Sequence, residues 1–393
     1  MRAFAVFLFA YALSQFYRSF LAVIAPELMR EHGLTPQHMA NMSAAWIFGF
    51  VVMQLPTGWA LDRLGPRRTV SASMLFAIAG AALFAVSATP LSFHAAMALI
   101  GIGCGAIYMG ALYVFGRTFS AQRFALLSSW LIGLGSAGNL LAATPLAWAA
   151  KAYGWPAAML AIAAMTAVAA LVVFAMVRDP PRLEIAGGPS AFAAVKQIAS
   201  NRKLWPLFPL TFVSYAAVLA ERGLWAGPYF TDVHGLEPVP RGNALLAMAA
   251  AMSVGALVYG PLDQWLGTRK WIVAGGTAVT AALFFTLAFG GPGAAQATIA
   301  MALLGGFGMT YGVLMAHGRS FVPDHLLGRG ITVMNILFIG GAGALQLIFG
   351  PLVTQLFAAD RSAATVYATL HAGFGALLVL GLAIYLFSED RRK

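Results

Sequence analysis

Two arginines, Arg18 and Arg222, interrupt long apolar runs, and a carboxylate, Glu221, stands directly beside the second. Even the low estimate for an arginine at the centre of a bilayer is about 2.5–3.5 kcal/mol, so such a guanidinium must face protein, water or a ligand. Arg18 lies well inside its run, about 22 Å along a helix that rises about 1.5 Å per residue, which is mid-depth. Tyr11, Ser14, Gln15 and Arg18 recur at i, i+3, i+4 and i+7 and make one polar stripe on an otherwise apolar helix, expected to line a central cavity. Thr211, Tyr215, Arg222 and Trp225 give a looser second stripe. One guanidinium from each stripe is the chemistry of an anion clamp, since each can hold a carboxylate, phosphate or phosphonate through two parallel hydrogen bonds. The competing reading is that each arginine closes a private salt bridge, with Glu221 or Glu27 as partner to Arg18. Glu221 and Arg222 are consecutive, about 100° apart on a helix, and do not face each other. Glu221 is the candidate for carrying a proton, because a carboxyl withdrawn from water favours its neutral form. Tyr108, Tyr311, Asn335 and Asn139 are further candidates for the cavity wall, each with interhelical hydrogen bonding as the alternative role. No two histidines have metal-ligand spacing, so a metal is not expected; His371 reads as a packing residue.

The elements that position these groups must be membrane helices. Sixty per cent of the 393 residues are hydrophobic and 9% are charged, and the mean hydropathy is +0.80. A soluble protein could not hide that much apolar surface from water. Twelve runs reach the roughly 20 residues needed to span: 4–28, 39–61, 69–88, 91–116, 123–148, 155–177, 204–230, 242–264, 270–290, 294–319, 328–357 and 362–387. They are continuously apolar rather than alternating, which excludes a closed β-barrel. The net charge of +11 is spread over short loops, so it marks topology and not a nucleic-acid surface. Of the 24 Lys and Arg, only Arg30, Lys151, Arg241 and Arg361 fall outside if the N-terminus is cytoplasmic; apart from Arg18 and Arg222, the rest fall inside. That asymmetry places both termini in the cytoplasm. The polar break at 178–203 separates an N-terminal bundle (1–177) from a C-terminal bundle (204–393), and 190–200 is expected to form a short helix on the membrane surface. Cys104 is the single cysteine. The first apolar run is too long for a cleavable signal.

The halves repeat. Gly33-Leu34-Thr35-Pro36 matches Gly235-Leu236-Glu237-Pro238, and Gly116-Arg117-Thr118-Phe119 matches Gly318-Arg319-Ser320-Phe321, each 202 positions apart. The loop from Gly58 to Val70, GWALDRLGPRRTV, has a degraded copy from Gly260 to Ile272, GPLDQWLGTRKWI. Parallel repeats in a membrane bundle point to a transporter. The first loop resembles the signature G-x-x-x-D-R-x-G-R-[RK] of the major facilitator superfamily, with Gly58, Asp62, Arg63, Gly65, Arg67 and Arg68 in place and Pro66 before the basic pair. In the second copy Gly260, Gly267, Arg269 and Lys270 hold the corresponding places, and Asp263 stands one position before that of Asp62. The resemblance implies two pseudo-symmetric six-helix halves and a cytoplasmic latch. Gly58 would then let span 2 approach a partner helix, and Asp62 would face a helix N-terminus or Arg117. Arg18 with Pro26, eight residues on, also resembles the organophosphate:phosphate antiporter branch, although that branch's following Lys is Ser19 here.

The reading that results is an all-α membrane protein, a twelve-helix monomeric secondary transporter in a plasma membrane, of the bacterial inner-membrane kind. It is expected to move a small organic anion with protons by alternating access, without ATP, redox cofactor, metal or nucleic acid; it is not an enzyme. The alternative is a proton-driven exporter of drugs or metabolites, whose cavity would need mainly apolar contacts. A polytopic enzyme or receptor would need a clustered His, Asp or Ser constellation, which is not visible.

Overall fold

A computed structural model of the chain describes residues 2–119, 127, 130–180, 200–322 and 327–390. The expected surface helix at 190–200, most of the 178–203 break, and the side chains of Asp62 and Asp263 lie outside what it describes. The described residues are almost wholly helical, and eleven helices are long and apolar enough to cross a bilayer. Pro36–Leu64, a further helix of 29 residues, stands at the place of the second expected span. We number the spans in chain order. Span 1 is Arg2–His32, span 2 Pro36–Leu64 and span 3 Pro66–Val86. Spans 4, 5 and 6 are Pro90–Thr118, Trp130–Tyr153 and Trp155–Met176. Spans 7, 8 and 9 are Arg202–Asp232, Pro238–Gly260 and Lys270–Phe289. Spans 10, 11 and 12 are Ala294–Arg319, Val333–Ala358 and Ala363–Tyr385.

The helices begin where the sequence offers both a proline and a cap. At Pro36 the Thr35 hydroxyl accepts from the His38 amide at 3.3 Å, while the Thr35 amide donates to His38 Nδ1 at 3.2 Å. Pro90 repeats the device with Thr89 and Ser92. A proline at the first helical position loses no hydrogen bond, and the side chains satisfy orphan amides. Gly33 and Gly235, paired in the repeat, both adopt φ +62 in the turns before spans 2 and 8, a conformation that favours glycine. Two spans are broken at corresponding places. Span 4 divides into Pro90–Cys104 and Ile107–Thr118, and span 10 into Ala294–Phe307 and Tyr311–Arg319. Both breaks fall in glycine-rich runs. A third irregularity is a π-helical turn in span 7, Glu221–Trp225.

The chain forms two compact units. The first takes Met1–Glu184 with Glu237–Leu246, and the second Ile185–Leu236 with Ala247–Lys393. The first has an apolar core in which Phe7, Val70, Met74, Ala111, Phe115 and Val173 are buried. Large apolar side chains such as Leu257, Trp265 and Phe289 are more than two-thirds exposed, as the lipid-facing surface of a membrane protein should be.

Among the described residues, close helix contact is found away from the place the loop signature gave it. A methyl group added at Gly58 or at Gly260 would meet none of the described residues within 4 Å. The tight crossing of spans 2 and 4 runs instead through Gly49, whose added Cβ would lie 2.6 Å from the Ala98 carbonyl oxygen, and through Gly101, packed on the Trp46 backbone. A signature glycine near a helix end need not be an interface glycine; what decides is whether a neighbouring backbone crosses there. Gly101→Val should therefore cost about 1–3 kcal/mol or more through overpacking, whereas Gly58→Ala should leave folding unharmed or stabilise the helix by about 0.5–1 kcal/mol. Thermal unfolding of the two purified variants checks the contrast.

Candidate transport site

In the first unit, Arg18 is partly exposed on span 1. Its guanidinium carbon lies 5.6 Å from the centroid of Trp46 and 5.5 Å from that of Phe50. Those two rings, one helical turn apart on span 2, stack at 5.4 Å and 15°. Among the described residues no carboxylate, carbonyl or hydroxyl accepts a hydrogen bond from Arg18, and its Nε is buried without a partner. A guanidinium on aromatic faces keeps a cation in place without neutralising it. The stripe below it is mostly buried: Tyr11 at 8%, Ser14 at 2% and Gln15 at 6% exposure. Gln15 Oε1 is buried with no partner among the described residues. Tyr11 packs on Tyr108 of span 4, with ring centroids 5.3 Å apart. Asn139 accepts from the Ser19 hydroxyl at 2.7 Å, which is the interhelical role weighed for it.

The second unit repeats the aromatic pair. Tyr215 of span 7 and Tyr311 of span 10 lie 5.3 Å apart, and the Tyr311 hydroxyl donates to Asn335 Oδ1 at 3.1 Å. The arginines do not repeat. Arg222 stands in the π-turn and is 2% exposed, far more enclosed than Arg18. Its neighbour Glu221 is wholly buried, and Glu221 Oε1 lies 3.4 Å from Nε2 of His371 on span 12. Glu221 thus has a histidine partner that sequence spacing, 150 residues apart, did not reveal. Glu27 also has a partner of its own. Inside the first unit Arg241 Nη2 donates to Glu27 Oε1 at 2.6 Å, to Oε2 at 2.9 Å and to the Val23 carbonyl at 2.6 Å.

The loops after spans 2 and 8 are held by acidic residues outside the signature. At the N-terminus of span 3, Asp179 Oδ1 accepts from the Arg67 amide at 2.8 Å, and Gly65, at φ +82, carries no Cβ to collide with that carboxylate. The carboxylate at the start of span 3 is Asp179, just past span 6. The basic side chains lean on rings: Arg67 on Phe174 at 4.2 Å, Arg63 on Trp59 at 5.3 Å and Arg117 on Tyr113 at 5.0 Å, while Arg68 is exposed. In the second unit, after the Gly267 turn at φ +62, Asp390 does the same for span 9. It accepts from the Thr268 hydroxyl at 2.6 Å and from the Arg269 and Lys270 amides at 3.2 Å. Lys270 Nζ donates to Leu386 and Ser388 carbonyls at 2.6 and 2.8 Å. Asp179 and Asp390 escaped the 202-residue register because they are 211 positions apart.

Partial burial pushes the Asp390 carboxyl up, but the hydrogen bonds from Thr268 and the two amides outweigh it and hold the group below the usual carboxylate range. A depressed carboxyl stabilises the fold above its unfolded value and ceases to do so as pH falls through the folded one. The tail clasp should therefore hold at neutral pH and release in acid below about pH 4. Asp390→Asn should remove that acid sensitivity, read as the pH dependence of proteolytic nicking after Tyr385.

The chain resembles known proteins along most of its length. It is 25% identical over 382 residues to a putative niacin/nicotinamide transporter of Bacillus subtilis, covering 95% of this chain and 92% of the relative. It is 25% identical over 335 residues to a gentisate transporter of Corynebacterium glutamicum, covering 81% and 73%. A stretch of 121 residues, 30% of this chain and 27% of the relative, is 30% identical to a 4-hydroxybenzoate transporter of Pseudomonas putida. A bacterial homolog of the human lysosomal transporter Spinster superposes with TM-score 0.81 at 15% identity over 98% of this chain and 96% of that one. A D-xylose-proton symporter superposes with TM-score 0.77 at 14% identity over 99% and 98%; at such identities the likeness is one of fold. The family model of the Major Facilitator Superfamily matches residues 7–346. With the apolar helices, the repeated charged loop and that match together, the chain is a multi-pass membrane protein of the Major Facilitator Superfamily.

Proposed function

We propose that this carrier moves a small aromatic carboxylate across the membrane together with protons, by alternating access. The observation that supports it most is Arg18: a partly exposed guanidinium beside two stacked rings, Trp46 and Phe50, with no acceptor among the described residues. A carboxylate is the ligand that satisfies the planar fork, and an aromatic ring is the group that packs on the indole and phenyl faces. Niacin, gentisate and 4-hydroxybenzoate, named for the relatives, each join a carboxylate to an aromatic ring. Arg222 is a second guanidinium, buried within span 7 of the second unit, and Glu221 beside it is the group that couples protons. Binding would move the carrier through its preference for one access state over the other. Both termini are taken as cytoplasmic, and the carrier as a monomer.

The test is uptake of radiolabelled 4-hydroxybenzoate, gentisate and nicotinate into proteoliposomes. Saturable uptake enhanced by an inward proton gradient is expected, with 4-hydroxybenzamide, the neutral isostere, failing to compete. Equal competition by the amide would overturn the carboxylate reading.

A further inference from the structure

Glu221 and His371 are the buried ionisable pair at the heart of the second unit. Both side chains are 0% exposed and their facing atoms are 3.4 Å apart. The other polar atom of each, Glu221 Oε2 and His371 Nδ1, is buried with no partner among the described residues. Structural ion pairs in a low-dielectric interior persist when their remaining donors and acceptors are satisfied; a half-satisfied pair is costly in any fixed charge state. Two more features set it apart from packing. Glu221 opens the π-turn of span 7, and such turns occur frequently at functional sites. The Tyr229 ring stands 5.0 Å from that of His371.

We infer that Glu221 and His371 together form the proton-binding site of the carrier, holding one transported proton between them, so that His371 and not the carboxyl alone sets the coupling. The inference rests on the proton-coupled reading above. Its logic is charge balance. With no proton the pair carries one negative charge; with one it is neutral whichever atom holds the proton; with two it is positive. Arg222, the next residue in the same turn, adds a fixed positive charge. Arg222 and the deprotonated pair then sum to zero charge. A carboxylate entering the field of Arg222 adds a negative charge, and one proton taken up by the pair cancels it. The two unpartnered atoms, Glu221 Oε2 and His371 Nδ1, are where an incoming proton finds room. The other ionisable groups facing the pair are few. Span 7 contributes Arg222, Tyr229 and Asp232, and the Tyr229 ring also meets His234 at 5.0 Å. Span 12 contributes Tyr367, whose hydroxyl donates to Asp232 Oδ2 at 2.6 Å. Span 9 presents Phe284, its centroid 6.1 Å from that of His371. Span 11 presents Gln346, whose amide donates to the Ala220 carbonyl at 3.2 Å. Asp232 already has its hydroxyl partner, which leaves Glu221 and His371 as the pair with open valences.

The experiment measures two fluxes in the same proteoliposomes, radiolabelled 4-hydroxybenzoate and pyranine-reported protons, and takes their ratio, which is independent of how many molecules are active. For wild type, and for a conservative control at a lipid-facing position, Leu257→Val, a constant ratio is expected. His371→Asn should drive the ratio to the background of empty liposomes, as should Glu221→Gln. The exchanged variant Glu221→His with His371→Glu, which keeps one acid and one imidazole in contact, should recover a measurable ratio. A wild-type ratio in His371→Asn overturns the inference while leaving anion transport and coupling through Glu221 standing. If His371→Asn carries no anion at all, the exchanged variant decides: recovery of both fluxes supports the shared site, and no recovery overturns it. Failure of wild type to move 4-hydroxybenzoate would instead sink the cargo reading.

Discussion

Arg18→Ala is expected to weaken binding of an aromatic carboxylate about 10- to 100-fold, because a charge-assisted hydrogen bond is worth about 1.5–3 kcal/mol. The effect should appear in the half-saturating concentration before it appears in the maximal rate, since the fixed cation acts on binding. Arg18→Lys should fall in between. Lysine keeps the charge but loses both the planar fork for a carboxylate and the flat face that lies on Trp46 and Phe50. Trp46→Ala should also weaken binding, by removing the surface that orients Arg18 and packs on the cargo ring, whereas Trp205→Ala, an exposed tryptophan elsewhere, should not. Calorimetric titration of 4-hydroxybenzoate into the purified protein measures all four. If Arg18→Ala binds as tightly as wild type, the guanidinium is a packing element on two rings and the proposed anion site is wrong. A structural arginine would give a different pattern: lowered thermal stability with affinity unchanged in the molecules that remain folded.

The sequence made Arg18 conspicuous because a charge in an apolar run has few explanations. The twelve runs, the duplicated loop and the paired Gly33 and Gly235 turns were legible for the same reason. Each depends on local composition or on a fixed offset along the chain. What could not be read are features created by tertiary approach. Trp46 and Phe50 look like ordinary apolar residues of span 2 until span 1 places a cation over them. His371, alone in span 12, reads as packing until span 7 brings Glu221 to it. The π-turn at Glu221–Trp225 has no marker in composition, because it depends on what the extra residue gains from its surroundings. Gly58 shows the converse among the described residues. A glycine in a recognised signature suggested close contact, but Gly49 and Gly101, outside any signature, are where the backbones of spans 2 and 4 meet. The pairing of Asp179 with the start of span 3 was hidden because the register along the helices does not extend past their ends.

The second large effect concerns Arg241, which topology counting treated as one of a few basic residues on the outer side. It is 2% exposed and holds both oxygens of Glu27 together with the Val23 carbonyl, so one guanidinium nitrogen satisfies three acceptors near the end of span 1. Pro26 lies between the two sets of acceptors. A proline inside a helix lacks the amide that would donate to the residue four positions before it, which is Ala22, so the helix ladder is one bond short beside the Val23 carbonyl that Arg241 reaches. Arg241→Ala should therefore destabilise the first unit by about 3–5 kcal/mol, the usual result of stranding one member of a buried ion pair. Glu27→Gln should cost less, since the amide oxygen still accepts from the guanidinium and the Val23 contact survives. The double variant Arg241→Ala with Glu27→Gln is the informative one. With no carboxylate left to strand, it should be more stable than Arg241→Ala alone, a coupling of opposite sign to simple addition. Thermal or denaturant unfolding of the four proteins in detergent gives the cycle. Additive losses would mean that the Glu27 carboxylate reaches water once Arg241 is gone and that the pair is a surface contact, contrary to its burial. A coupling of the stated sign would make Arg241 the outer anchor of span 1, the same helix that carries Arg18 two turns further in.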